Sequence, residues 1–235
     1  MAPPRSLKLR AKMINQRLLE IFPGSAAELC ALRFETPFQL LVATILSAQC
    51  TDERVNLVMP EMIRRYPTPV LLAKAPPDEV ERVVYSTGFY RAKTKNLIEM
   101  ASALVQRFDG EVPRELDDLV TLPGVGRKTG NVIRSVAFGL PGLPVDTHVG
   151  RLARRLGLTK ELDPVKVEFA LNRLVCQQDR GGLSLRLILH GRTVCLSRVP
   201  RCAICELADL CPSSPENTRR QRSKPTEAPR ERRDR

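Results

Sequence analysis

The chain has 235 residues, 43% of them hydrophobic, and a formal charge of +12. That composition excludes a disordered chain, and no apolar run approaches the length of a bilayer span. The charge favours a polyanionic partner through phosphate contacts and counterion release, although an anionic membrane or ribosomal RNA would answer to charge alone. Residues 213–235 contribute +4 of it and leave +8 on the body of the protein. Met1–Arg10 lacks the apolar core of a secretory signal, and seven cysteines are an odd count, so a reducing intracellular compartment is expected. A cysteine cluster then reads as metal binding.

Helical periodicity runs the length of the chain. Ile14, Leu18 and Ile21 or Phe22 mark an opening amphipathic helix over Leu7–Phe22, stopped by Pro23-Gly24. Further helices are expected over Pro37–Ser47, Asp52–Tyr66, Pro77–Thr87, Ala92–Phe108, Glu115–Thr121, Arg127–Phe138, Thr147–Leu156, Pro164–Gln177 and Leu183–Leu196. Strand-like alternation is nearly absent, no solenoid period is visible, and most junctions carry Gly or Pro, so the expected fold class is all-α with short connections. From Ser213 onward Pro, Ser, Thr and charged residues replace the apolar ones, and residues 213–235 read as a flexible basic tail.

Two segments carry chemistry. Leu122-Pro123-Gly124-Val125-Gly126-Arg127-Lys128-Thr129-Gly130 lies between two short amphipathic helices, and its glycines let the backbone turn tightly and approach another molecule. The helix that follows begins with unpaired N–H groups, which favour an anion such as a phosphate; an ordinary packing hairpin is the plainer alternative. Lys128 sits in the first turn of that helix, where the dipole disfavours its ammonium and favours the free amine a nucleophile needs, although a phosphate-contacting lysine is the commoner role. Asp146 precedes an amphipathic helix and reads as its N-cap, and Asp52 reads as another. Cys195, Cys202, Cys205 and Cys211, spaced C-x6-C-x2-C-x5-C, suit a soft metal, with zinc and iron–sulfur both open and the single short C-x2-C knuckle leaning to the latter. Cys30, Cys50 and Cys176 read as small buried hydrophobes.

Leu-Pro-Gly-Val-Gly at 122–126, Val145-Asp146-Thr147-His148-Val149 and Leu187-Ile188-Leu189-His190-Gly191-Arg192 before the cysteines resemble the helix-hairpin-helix DNA glycosylases, closest to their endonuclease III subfamily, over about residues 7–212. The resemblance implies two helical domains flanking a DNA cleft, one over 30–140 and one from 1–29 plus 141–212. It implies Lys128 as nucleophile, Asp146 as the carboxylate across the cleft, and a [4Fe–4S] cluster on Cys195, Cys202, Cys205 and Cys211. It also implies DNA contacts from the hairpin residues Gly124, Gly126, Arg127 and Thr129, and from Gln49, Phe89 and His148 at the gap an extruded nucleotide leaves; the family often has Leu where Phe89 stands.

The implied activity is removal of oxidised pyrimidines from duplex DNA and cleavage of the strand by β-elimination, by a monomer in the bacterial cytoplasm at the nucleoid. An adenine-specific relative would lack the hairpin lysine and carry a glutamate on an early helix, whereas Leu40–Leu46 contains no carboxylate. A non-catalytic binding module would need neither Lys128 nor Asp146, and ten aromatics without Trp offer few platforms for single-strand binding. Arg198 and Arg201, between two of the cysteines, are further candidates for phosphate contact or solvated side chains.

Overall fold

The computed structural model describes residues 6–222, and every regular element among them is helical. The order is α1 (Leu7–Ile21), α2 (Ala26–Leu29), α3 (Pro37–Leu46), α4 (Asp52–Arg65), α5 (Pro69–Ala73), α6 (Pro77–Val84), α7 (Tyr90–Arg107), α8 (Leu116–Leu119), α9 (Arg127–Val132), α10 (Thr147–Arg155), α11 (Pro164–Asn172), α12 (Arg180–Thr193) and α13 (Pro215–Arg222). The all-α expectation holds. Local chemistry sets most of the starts. Thr36, Thr51, Thr68, Asp146 and Asp163 each accept a backbone N–H from the first turn, and Pro follows directly at Pro37, Pro69 and Pro164, where its missing N–H costs nothing. Thr51, not Asp52, is therefore the cap of α4; Asp52 is its first residue.

The buried apolar residues fall into two cores. One runs from Leu32 to Val136 and is filled by α3, whose Leu40–Leu46 stretch is buried on every side, by Leu97, Met100 and Leu104 of α7, and by Met62 of α4. The other joins Ala11, Ile14 and Leu18 of α1 to residues between Leu143 and Leu210. Distant parts of the chain thus share one core: Arg10 donates to the carbonyl of Gly157, and Arg17 pairs with Asp209.

Three departures from the periodic pattern have physical causes. The helix after the hairpin runs as α9 only to Val132 and then widens into one π turn, Ile133–Ala137. The last helix of the second core begins at Arg180, before Gly181-Gly182, because Gly181 is a contact surface: a Cβ there would lie 2.5 Å from that of Ser135 in the π turn. The glycines that suggest a later start permit close packing of the two cores instead. The third departure is at the expected tail. Pro215–Arg222 is helical, Ser214 and Asn217 are buried, and the buried Asn217 amide donates to the carbonyls of Ala208, Asp209 and Cys211. A polar composition concealed this anchor because its bonds are made by one side chain to irregular backbone. Residues 223–235 lie outside the described residues.

Candidate active site

The hairpin is fixed from inside. Leu122 and Val125 point into the first core at 2% and 5% exposure, which leaves Gly124 and Gly126 at the surface. Gly124 has φ +76°, and a Cβ on it would press on Asn96 of α7 at 3.0 Å, so only glycine fits there. Gly126 caps α9, which presents Lys128 one residue into its first turn. Thr129 is half-buried beside it.

Lys128 opens onto a pocket between the two cores. Asp146, Ser47, Thr44, Asp52, Leu189 and Arg192 share its lining. Asp146 Oδ1 accepts the backbone N–H of Val149 at 2.8 Å, so capping α10 also fixes the carboxylate at the pocket. Across the wall Arg192 donates to Asp52 at 3.1 Å, which ties α12 to α4. The arrangement brings an amine and a cap-held carboxylate into one cleft, the components of nucleophilic attack with a counter-charge nearby.

The hairpin arginine also makes an ion pair. Arg127 donates twice to Glu168 of α11, both at 2.8 Å, and its guanidinium lies 5.1 Å from the ring centre of Phe169. Glu168 is 5% exposed and also accepts from Asn131 at 3.1 Å. The carboxylate raises the pKa of Arg127 above the ordinary arginine value, and burial acts the other way. Arg127 therefore joins the two cores through an ion pair.

Gln49 and Phe89 are exposed, and both have left-handed backbone, φ 54° and 48°. Phe89 is 66% exposed, so packing into the core is not its role. His148 is half-buried on α10, with Nδ1 3.2 Å from Arg151, against Gly191.

All four clustered cysteines line one cavity with His190, Arg155 and Leu152. Arg155 donates to Cys195 Sγ at 3.3 Å and to the Leu196 and Ser197 carbonyls at 2.7 Å, Arg151 donates to the Gly191 and Cys195 carbonyls, and His190 Nε2 is 3.4 Å from Cys205 Sγ. Burial pushes the Cys211 thiol up to about 11 and raises that of Cys205. Arg198 and Arg201 are exposed on the same loop. Of the lone cysteines, Cys30 and Cys50 are half-buried, but Cys176 is exposed, because α11 stops at Asn172 and leaves it in a connecting turn.

Residues 42–177 match the model of the HhH-GPD superfamily base excision DNA repair proteins. The chain is 51% identical to endonuclease III of Synechocystis over 89% of its own length and 94% of the relative's. It is 44% identical to that of Bacillus subtilis over 82% and 87%, and 37% identical to that of Escherichia coli K12 over 87% and 95%. The chain belongs to the endonuclease III family. It is a DNA-repair N-glycosylase with abasic-site lyase activity. Its fold superposes on a non-covalent endonuclease III–DNA complex with a TM-score of 0.82, at 37% identity and covering 90% of this chain and 98% of that one. A trapped covalent endonuclease III–DNA intermediate gives the same values.

In this glycosylase the structure gathers Lys128 and Asp146 at one cleft and the four cysteines at a separate cavity. Sequence reasoning missed Glu168, Lys93 and Asn217. A carboxylate on a helix face and an asparagine in a polar segment give no sign of burial; only Lys93, in Tyr90-Arg91-Ala92-Lys93-Thr94, had a detectable signal, since its helical position falls on the apolar stripe completed by Leu97 and Met100.

Proposed function

We propose that Lys128 is the nucleophile and Asp146 the carboxylate that assists it, and that the substrates are oxidised pyrimidines and abasic sites in duplex DNA. The single observation that supports this most is the shared pocket of Lys128 and the cap-held Asp146. A nucleotide within the stack cannot present its glycosidic carbon, so the damaged one is extruded. Asp146 takes the amine proton, Lys128 Nζ forms a bond to C1′, and the glycosidic bond breaks with its electron pair leaving on the base. The sugar ring opens to a Schiff base between C1′ and Nζ. Loss of a proton from C2′ then expels the 3′ phosphate and cleaves the strand. Gly124, Gly126 and Thr129 carry the backbone contact, and Gln49, Phe89 and His148 face the vacated space. The enzyme acts as a monomer.

We also propose that Cys195, Cys202, Cys205 and Cys211 hold a [4Fe–4S] cluster. The residues fit the group: four thiols on one cavity, an Arg155 N–H on Cys195 Sγ and the His190 ring at Cys205. Among the described residues no three His, Cys, Asp or Glu are gathered tightly enough for one metal ion; a cubane asks less, since each iron takes a single thiolate. When bound, the group braces the loop. This chain's own residues do the rest, Arg151 and Arg155 by gathering the loop's carbonyls.

Borohydride reduction of the Schiff base tests the assignment. Wild-type protein is expected to become covalently attached to abasic duplex, and Lys128→Gln to lose both attachment and strand scission, by about a thousandfold or more. Normal scission by Lys128→Gln refutes it.

A further inference from the structure

Lys93, on the first turns of α7, is the most deeply buried lysine described, at 4% exposure, and it lines no part of the pocket. Its ammonium donates to two backbone carbonyls at 2.8 Å each, those of Leu46 and Thr87. Leu46 is the last residue of α3 and Thr87 closes the short turn Tyr85–Thr87, so both carbonyls stand where helical bonding runs out. Two residues beyond each of them is a left-handed non-glycine residue or its neighbour: Gln49 at φ 54° follows Leu46 by three, and Phe89 at φ 48° follows Thr87 by two. A left-handed non-glycine residue is strained and persists only where the surroundings over-determine it.

Each loop also carries local bonds: the Ser47 and Thr87 hydroxyls donate to the Thr44 and Val84 carbonyls at 2.8 and 2.7 Å. In the first loop Ala48 and Cys50 donate to Ile45 and Ser47 at 3.4 and 3.1 Å, and in the second Gly88 donates to Tyr85 at 3.4 Å. Burial holds the Lys93 ammonium below the ordinary lysine range, with Cys50 pulling it up. A buried ammonium kept on two carbonyls is an arrangement that needs both loops in place to be tolerated.

We propose that Lys93 is a positioning residue for nucleotide extrusion: it joins the Gln49 and Phe89 loops through one ammonium, so that both side chains enter the duplex together. This rests on the reading that those side chains fill the gap. It accounts for one lysine serving two loops 40 residues apart, and for the persistence of a solvent-exposed phenylalanine in a strained conformation.

The experiment compares excision of an oxidised thymine under single turnover in two duplexes, one with the lesion paired to adenine and one with the lesion unpaired in a bulge, where little opening remains to be done. The isosteric, uncharged Lys93→Met is expected to slow the paired substrate roughly tenfold or more and the bulged one by no more than about twofold. The loss on paired DNA should also be non-additive with Phe89→Ala, since both act through one loop. Equal slowing on the two substrates, or none on either, overturns the proposal. If Lys93→Met does not fold, Lys93→Arg, which keeps the charge but not the fit to two carbonyls, is put through the same comparison and judged by the same ratio. Borohydride attachment of wild-type protein to abasic DNA is run beside it; failure there counts against Lys128 and not against Lys93.

Discussion

The two cores achieve order by different means. The first is a conventional helical core, in which α3 is surrounded and the backbone bonds itself within helices, with the Lys93 ammonium on the end carbonyls of Leu46 and Thr87. The second must also hold residues 194–214, which contain only a three-residue helical turn and would otherwise leave carbonyls exposed to solvent or unpaired. Arg151, Arg155 and Asn217 supply donors to seven of those and neighbouring carbonyls, and Arg17 anchors the loop at Asp209. Where the backbone bonds itself, apolar packing suffices; where it does not, long polar side chains take over.

Loss of a thiolate ligand breaks this comparison most severely. Cys211→Ser is expected to lose the iron, about four atoms per chain, with its visible absorbance, and to melt the second core at a lower temperature than the first. A single transition shared by both cores would show that they do not differ as described. Next in size, Leu97→Ala removes a side chain with no exposure from the first core. It should cost about 2–5 kcal/mol in urea unfolding with iron content unchanged. Glu168→Leu leaves Arg127 and Asn131 without their shared carboxylate. Its expected cost is about 2–3 kcal/mol, below a fully buried pair because the arginine side chain is 35% exposed. It should also raise KM on DNA as the hairpin helix loses its tie to α11. Smallest is Asn217→Ala, at about 1–2 kcal/mol, seen as faster loss of iron to a chelator while the first core keeps its urea midpoint.

The same contrast explains what was legible in the sequence. The long helices could be read because α4 and α7 repeat their buried residues at helical spacing. Lys128, Asp146 and the cysteines could be singled out because each sits in a local pattern. The ion pair of Arg127 was illegible for the opposite reason: its partner Glu168 is 41 residues away and nothing near either residue announces the other. Asp52 and Thr51 are adjacent potential caps, and only the geometry separates them. The π turn, the helical glycines of α12 and the Asn217 anchor are all products of contact between segments distant in sequence, which periodicity does not record.

The placement of α1 bears on synthesis. Its Ile14 and Leu18 are fully buried against partners that begin at Leu143 and continue to Leu210. On the ribosome this helix emerges with its apolar stripe uncovered, well before the segments that bury it. The four clustered cysteines lie later still in the chain, so their cavity closes only after α1 and the residues from Leu152 onward have been made.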